Sequence, residues 1–282
     1  RSVPEIEAWF NHADQPAPEI QFSVHDHLEI LGAVSPTIIK LEYLALPHPV
    51  SARGGAVRFF FLANKIPFSE TLWAMDEWAA AKARYVKEGV SPSGHLPIVY
   101  LDGKAHSEHI SSMRLVAGLA GLQAASSPKD AFAQDVVADA YVGWRAQWVQ
   151  AHFEGDAEAK VAYKDSVADR LLEFEQLAKS HCTSDRFLSG DVPLWADSAL
   201  FSLMSDNITT GYLTEDVLAS SPRLHALYRA YRSVPEIEAW FNHADQAAPT
   251  LLSAGMESHS RLSVLKAIGR AVGCLSKPEV GQ

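Results

Sequence analysis

Apolar and polar residues alternate in part over residues 38–46 (Ile-Ile-Lys-Leu-Glu-Tyr-Leu-Ala-Leu), which predicts a buried strand. Residues 47–55 are rich in Pro and Gly and read as a loop, and 56–64 are apolar at helical spacing. A second strand is expected at 68–72. Residues 76–86 read as a helix with Ala at most free positions. Residues 96–101 (Leu-Pro-Ile-Val-Tyr-Leu) predict a third strand, Asp102-Gly103 is a hairpin turn signal, and 104–106 would be the fourth strand. A helix over 108–118 completes a β-α-β-α-β-β-α order within residues 38–122.

After Pro128 the spacing is helical throughout. Long amphipathic helices are predicted over 129–153 and 157–181, then shorter ones over 197–207, 214–220 and 222–231. Pro235 marks a further helix start. The outline is a small α/β unit joined to an all-helical unit.

The flanks read differently. Residues 16–36 are polar and punctuated by Pro, as in a linker. Residues 257–275 carry Leu262, Leu265, Ile268 and Val272 at helical spacing, with Arg261, Lys266 and Arg270. Both a surface-docked helix and a membrane-surface helix fit that pattern. The fifteen residues from Arg1 to Gln15 recur unchanged from Arg232 to Gln246. Such repetition fits a unit cut from a protein of tandem domains, though an engineered or recombined end would look the same. The expected organisation is therefore 1–15, the last helix of a preceding repeat; 16–36, a linker; 37–122, the α/β unit; 129–250, the helical unit; and 251–282, an extension.

Composition narrows the function classes. At 48% hydrophobic and 21% charged residues, the chain matches an ordinary globular protein. A net charge of −10 argues against a nucleic-acid surface. No apolar run approaches the ~20 residues of a membrane span, which argues against a membrane role. The two cysteines, Cys182 and Cys274, lie far apart, which disfavours a disulfide framework and points to a reducing cytoplasm. Among the twelve histidines the closest pairs are His25/His27 and His106/His109, and neither has a third ligand in its pattern, so no metal is expected. No phosphate-binding glycine loop is present.

Four stretches then carry a resemblance. They are Lys40-Leu41-Glu42-Tyr43-Leu44 with Arg53-Gly54-Gly55-Ala56-Val57-Arg58; Glu77-Trp78-Ala79-Ala80-Ala81-Lys82; Gly94-His95-Leu96-Pro97-Ile98-Val99-Tyr100-Leu101-Asp102-Gly103 running on to Ser107-Glu108-His109 and Arg114; and 190–197 with Arg223-Leu224 and the Pro235…Trp240 helix. Over about residues 38–246 the chain resembles the cytosolic glutathione S-transferases, with a sigma-like flavour. The resemblance implies a thioredoxin-like α/β N-terminal domain followed by an all-α C-terminal domain. It also implies glutathione as co-substrate, a cytoplasmic detoxification setting, and pairing with an adjacent repeat or as a homodimer.

It further implies roles for particular residues. Tyr43 would be catalytic, donating a hydrogen bond that stabilises the glutathione thiolate. Trp78 and Lys82, four apart on one helix, would face the glycyl carboxylate, with His95 beside them. Leu96-Pro97 would be the family's cis pair, presenting backbone to the cysteinyl part. Glu108 would face the ligand's ammonium group. His109 stands where the family usually has Ser, at a helix N-terminus that favours the γ-glutamyl carboxylate; either its ring N–H substitutes or the site is weaker. Tyr141 and Arg145 are the expected wall of a pocket for a small hydrophobic electrophile. Two departures stand out. The loop after Tyr43 is longer than in the family; either it reshapes or covers the site, or it supplies a different sulfur partner such as Ser51. Leu194 replaces the hydroxyl residue of a Ser/Thr-x-x-Asp cap, a loss on the order of 1 kcal/mol. Two readings follow from the resemblance: an enzyme conjugating or isomerising a hydrophobic electrophile, and a non-catalytic ligand-binding or structural protein of the crystallin or ligandin kind.

Overall fold

The computed structural model describes residues 38–122 and 128–242. The first copy of the repeated word, the linker and the C-terminal stretch lie outside the described residues, as do 123–127.

The α/β half runs β1 (Ile39–Leu44), α1 (Ala52–Ala63), β2 (Ser69–Trp73), α2 (Met75–Lys87), β3 (Ile98–Leu101), β4 (Lys104–His106) and α3 (His109–Leu119). The strands order as β2-β1-β3-β4. β1 pairs parallel to β2 and antiparallel to β3, and β3 pairs antiparallel to β4. Asp102 and Gly103 both take positive φ, 48° and 81°, as a two-residue hairpin of the primed kind requires. This is the thioredoxin-like arrangement.

Strand β1 sets the site by its alternation. Tyr43 lies against α1, where a Cβ at Gly54 would overlap its ring. Glu42 leaves the other face and is buried, taking hydrogen bonds from Tyr85 Oη (3.0 Å), Trp73 Nε1 (3.2 Å) and Lys40 Nζ (2.6 Å). A buried carboxylate needs such partners.

The helical half consists of α4 (Pro128–Val149), α5 (Ala157–His181), α6 (Trp195–Thr209), α7 (Glu215–Leu218), α8 (Pro222–Arg232) and α9 (Pro235–Asn242). The single helix expected to Phe153 changes pitch: Gln150–Glu154 is a π-helical turn. Gly155 follows it with no room for a side chain, since a Cβ there would lie 2.7 Å from the Ala151 carbonyl. Helix α6 is buried from Trp195 through Asn207 and packs against both α1 and α4. The second copy of the repeated word forms the end of α8 and α9. Its Ile237 is fully buried, and Trp240 and Phe241 pack on Phe59 of α1 at ring distances of 5.0 and 5.7 Å.

Two helix starts differ from expectation for one reason, a cap delivered from elsewhere. Helix α1 begins at Ala52, four residues before the apolar spacing does, because Asp206 of α6 accepts from the amides of Ser51 (2.8 Å) and Ala52 (2.9 Å). At the start of α6, Asp197 accepts from the Leu194 amide (2.9 Å). Gln134 of α4 accepts from the Ala196 amide (3.1 Å), the bond a hydroxyl at Leu194 would have made. The cap that seemed lost is supplied across the helix interface.

Candidate active site

Four segments meet where β1 ends. They are the Tyr43 end of β1, the first turn of α1, the 94–97 loop beside α2, and the start of α3. Tyr43 is 1% exposed, and its Oη has no side-chain hydrogen-bond partner among the described residues, only the Gly54 backbone beside it. Burial pushes the phenol up to about 12, against the opposing pull of the Arg53 and Arg145 guanidiniums. At neutral pH it is a protonated donor.

Trp78 is fully buried, edge-to-face with Tyr85 (5.3 Å) and Trp73 (6.1 Å), and its Nε1 also lacks a partner. Lys82 lies one turn on. Its stem covers Gly94, whose φ is +67° and where a Cβ would come 2.7 Å from Lys82 Cε. His95 is half-buried, and its main chain is pinned by Ser91 Oγ, which accepts from the His95 amide (3.0 Å) and donates to its carbonyl (2.8 Å). Burial and the Lys82 ammonium lower the His95 pKa, while Glu108 opposes them. Leu96-Pro97 is cis.

Glu108 sits at the N-cap of α3 with φ 66° and ψ 98°. That region is sparsely used by non-glycine residues and costs of order 1–3 kcal/mol. His109 is 7% exposed and meets Tyr141 edge-on at 5.7 Å, and its Nε2 has no partner. Burial, with Arg53 and Arg145 nearby, holds the imidazole well below its ordinary range, so it is neutral.

The charge of Arg53 bears on Tyr43, His95 and His109 together, and Lys82 and Glu108 both act on His95. The sequence reading quoted Arg53 in a motif but gave it no role, since only the fold puts the start of α1 beside Tyr43. Positive charge with one carboxylate at a helix N-terminus favours an anion there.

Three expectations are corrected. Tyr141 and Arg145 form no open pocket wall. Both are fully buried, and Arg145 bonds Tyr141 Oη (3.2 Å), Asp206 (2.6 Å) and Ser202 Oγ (3.0 Å). Ser51 is not placed as a sulfur partner, because its hydroxyl is engaged by Asp206 (3.1 Å) and Ser202 (3.2 Å). The long loop after Tyr43 folds onto α9 instead, where His48 Nε2 meets the Trp240 carbonyl at 2.9 Å.

Residues 142–244 match the family model described as glutathione S-transferase, C-terminal domain. Glutathione S-transferase 4 of Caenorhabditis elegans is 26% identical over 207 residues, 70% of this chain and 94% of that protein. Glutathione S-transferase S1 of Drosophila melanogaster is 25% identical over 205 residues, 72% and 78%. The chain is thus similar to glutathione S-transferases, over residues 142–244 by the family model and over about 70% of its length by these relatives. The fold agrees: a Pi-class glutathione S-transferase of Onchocerca volvulus superposes with a TM-score of 0.62 at 18% identity, over 74% of this chain and 94% of that one. A prostaglandin synthase D of Nilaparvata lugens does so with a TM-score of 0.58 at 20% identity, over 73% and 97%. No described helix is long and apolar enough to cross a membrane.

Proposed function

We propose that the chain is a sigma-like glutathione transferase unit, one of a tandem series, that activates the glutathione thiol for conjugation or isomerisation of a hydrophobic electrophile. The observation that carries this reading is that Tyr43 and His109, both in the field of Arg53, hold buried polar atoms without a side-chain partner; with Trp78 Nε1 they are three of ten such atoms among the described residues. Such groups cost about 1–3 kcal/mol each when left unmet, so a ligand that reaches Tyr43 and His109 would meet two of them.

In this reading Tyr43 donates its phenolic proton in a hydrogen bond to the sulfur and favours the thiolate. Trp78 Nε1 and the Lys82 ammonium hold the glycyl carboxylate, with His95 beside them. The Leu96-Pro97 backbone aligns the cysteinyl part. Glu108 takes the ammonium, and the first amides of α3, at His109, take the γ-glutamyl carboxylate. Tyr141 and Arg145 no longer belong to the electrophile pocket; they support the site from within. Pairing with an adjacent repeat or a second chain is part of the same proposal. It is supported by Leu115, Leu119, Phe132 and Val142, large apolar residues of α3 and α4 that are 40–66% exposed. Light scattering at micromolar concentration tests it, and a monomer counts against it.

A second reading, a non-catalytic ligand-binding or structural protein, is favoured by one observation: Tyr43 is closed off from solvent and His109 brings no hydroxyl. Calorimetry with glutathione on the native chain and on Tyr43→Phe, with thiol titration by ultraviolet absorbance, separates the two. Binding with a depressed thiol pKa that Tyr43→Phe restores supports the enzyme. No binding at millimolar glutathione sinks the transferase reading.

A further inference from the structure

The first residue of α1 is in an unfavourable conformation. Ala52 has φ +47°, the left-handed region that alanine seldom visits, and it immediately precedes Arg53. A residue held there persists only where its surroundings over-determine it. Here they do. The Ala52 amide donates to Asp206 Oδ2 (2.9 Å), and its carbonyl accepts from Ser202 Oγ (2.8 Å). The preceding Ser51 amide donates to Asp206 Oδ1 (2.8 Å). Arg145 completes the frame, bonding Asp206 (2.6 Å) and Ser202 Oγ (3.0 Å), and all three side chains are buried. Every hold on Ala52 therefore comes from one helix of the other half, some 150 residues away.

We propose that Asp206 and Ser202 are positioning residues for thiol activation: they clamp Ala52 in its left-handed conformation and so set Arg53 beside Tyr43. This rests on the transferase reading above. The clamp serves more than helix capping, because an ordinary cap needs no left-handed residue and comes from the N-cap side chain itself. The Ser51 hydroxyl makes no such bond.

The geometry separates position from field by sign. Arg53 and Arg145 draw the Tyr43 phenol down, while the Asp206 carboxylate pushes it up. If Asp206 acted only through its charge, removing it would lower the pKa of Tyr43 and of a thiol bound next to it. If it acts by placing Arg53, removing it raises them.

The test uses the full chain with Asp206→Ala, Asp206→Asn, Ser202→Ala and the double variant Asp206→Ala/Ala52→Gly. The thiol pKa of bound glutathione is read by thiolate absorbance. Asp206→Ala is expected to raise it by about one unit, a roughly tenfold loss of thiolate at fixed pH. Ser202→Ala should shift it the same way by less. The added Ala52→Gly should recover part of the loss, because glycine takes positive φ without strain. A thiol pKa that falls or stays put in Asp206→Ala overturns the proposal. Should that variant not fold, Asp206→Asn and Ser202→Ala decide by the same sign. Amide hydrogen exchange at residues 53–57 provides a readout without glutathione. Faster exchange in the variants is expected, and unchanged exchange overturns the clamp even if the native chain binds no glutathione, a result that would sink only the transferase reading.

Discussion

The seam between the two halves and the ligand end of the α/β half bury polar groups in opposite ways. Along α6 the side chains of Asp206, Ser202, Ser198 and Asp197 are hidden, and each is bonded. Around Tyr43, Trp78 and His109 the side chains are equally hidden, and each holds a polar atom with no side-chain partner. Of the four non-glycine residues with positive φ among the described residues, Ala52 and Glu108 lie at this same end. The difference teaches where this molecule keeps its stability and where it keeps its chemistry. Most polar groups of the seam are satisfied by the fold, Ser205 Oγ and Trp195 Nε1 of α6 excepted, whereas Tyr43 and His109 are left for a ligand.

The comparison predicts an asymmetry, and the largest effect should come from the seam. Asp206→Ala leaves the Arg145 guanidinium buried without its carboxylate. Urea denaturation should show a loss of about 3–5 kcal/mol. A loss below about 1 kcal/mol would dissolve the contrast. At the other end Tyr43→Phe removes an unmet hydroxyl. Stability should hold or rise by about 1 kcal/mol. Glutathione-dependent turnover should drop about a hundredfold, if a donor to a developing charge has its usual worth. A Tyr43→Phe protein that is markedly less stable would show that the hydroxyl has a structural partner after all.

His109 sharpens the comparison through pH. Its folded-state pKa is depressed by burial, so the unfolded chain binds a proton that the folded one refuses. Its contribution is whole above about pH 6.5 and is lost as pH falls, by up to ~1.4 kcal/mol per unit. His109→Gln should flatten the fall in melting temperature between about pH 6.5 and 5. An unchanged profile would mean that the ring is protonated in the fold. The smallest effect belongs to the borrowed cap. Gln134→Leu should cost about 1 kcal/mol, read by the same urea titration, with glutathione affinity unmoved. A fall in affinity would show that the start of α6 is coupled to the site.

Much of this was legible in the sequence. The strands and helices of the α/β half follow from local periodicity, and the Asp102-Gly103 hairpin from the one dipeptide that favours two positive φ angles. Tyr43, Lys82, His95, Glu108 and His109 were named from motifs, and the structure brings them to one end of the sheet. What failed was the placement of Tyr141, Arg145 and Ser51. Tyr141 and Arg145 lie on the expected helix but point into the interior, because α6 offers them Asp206 and Ser202. Ser51 was an open hydroxyl in the sequence and is a buried one in the fold.

The sequence by itself determined the element order, the turn chemistry and the residue types of the site, since these depend on neighbours within a few positions. Tertiary structure alone decided where α1 starts, how α6 is capped, and that Arg145 is buried. The reason is physical: those outcomes depend on hydrogen bonds and charges between residues 61 to 155 positions apart, which no local pattern contains.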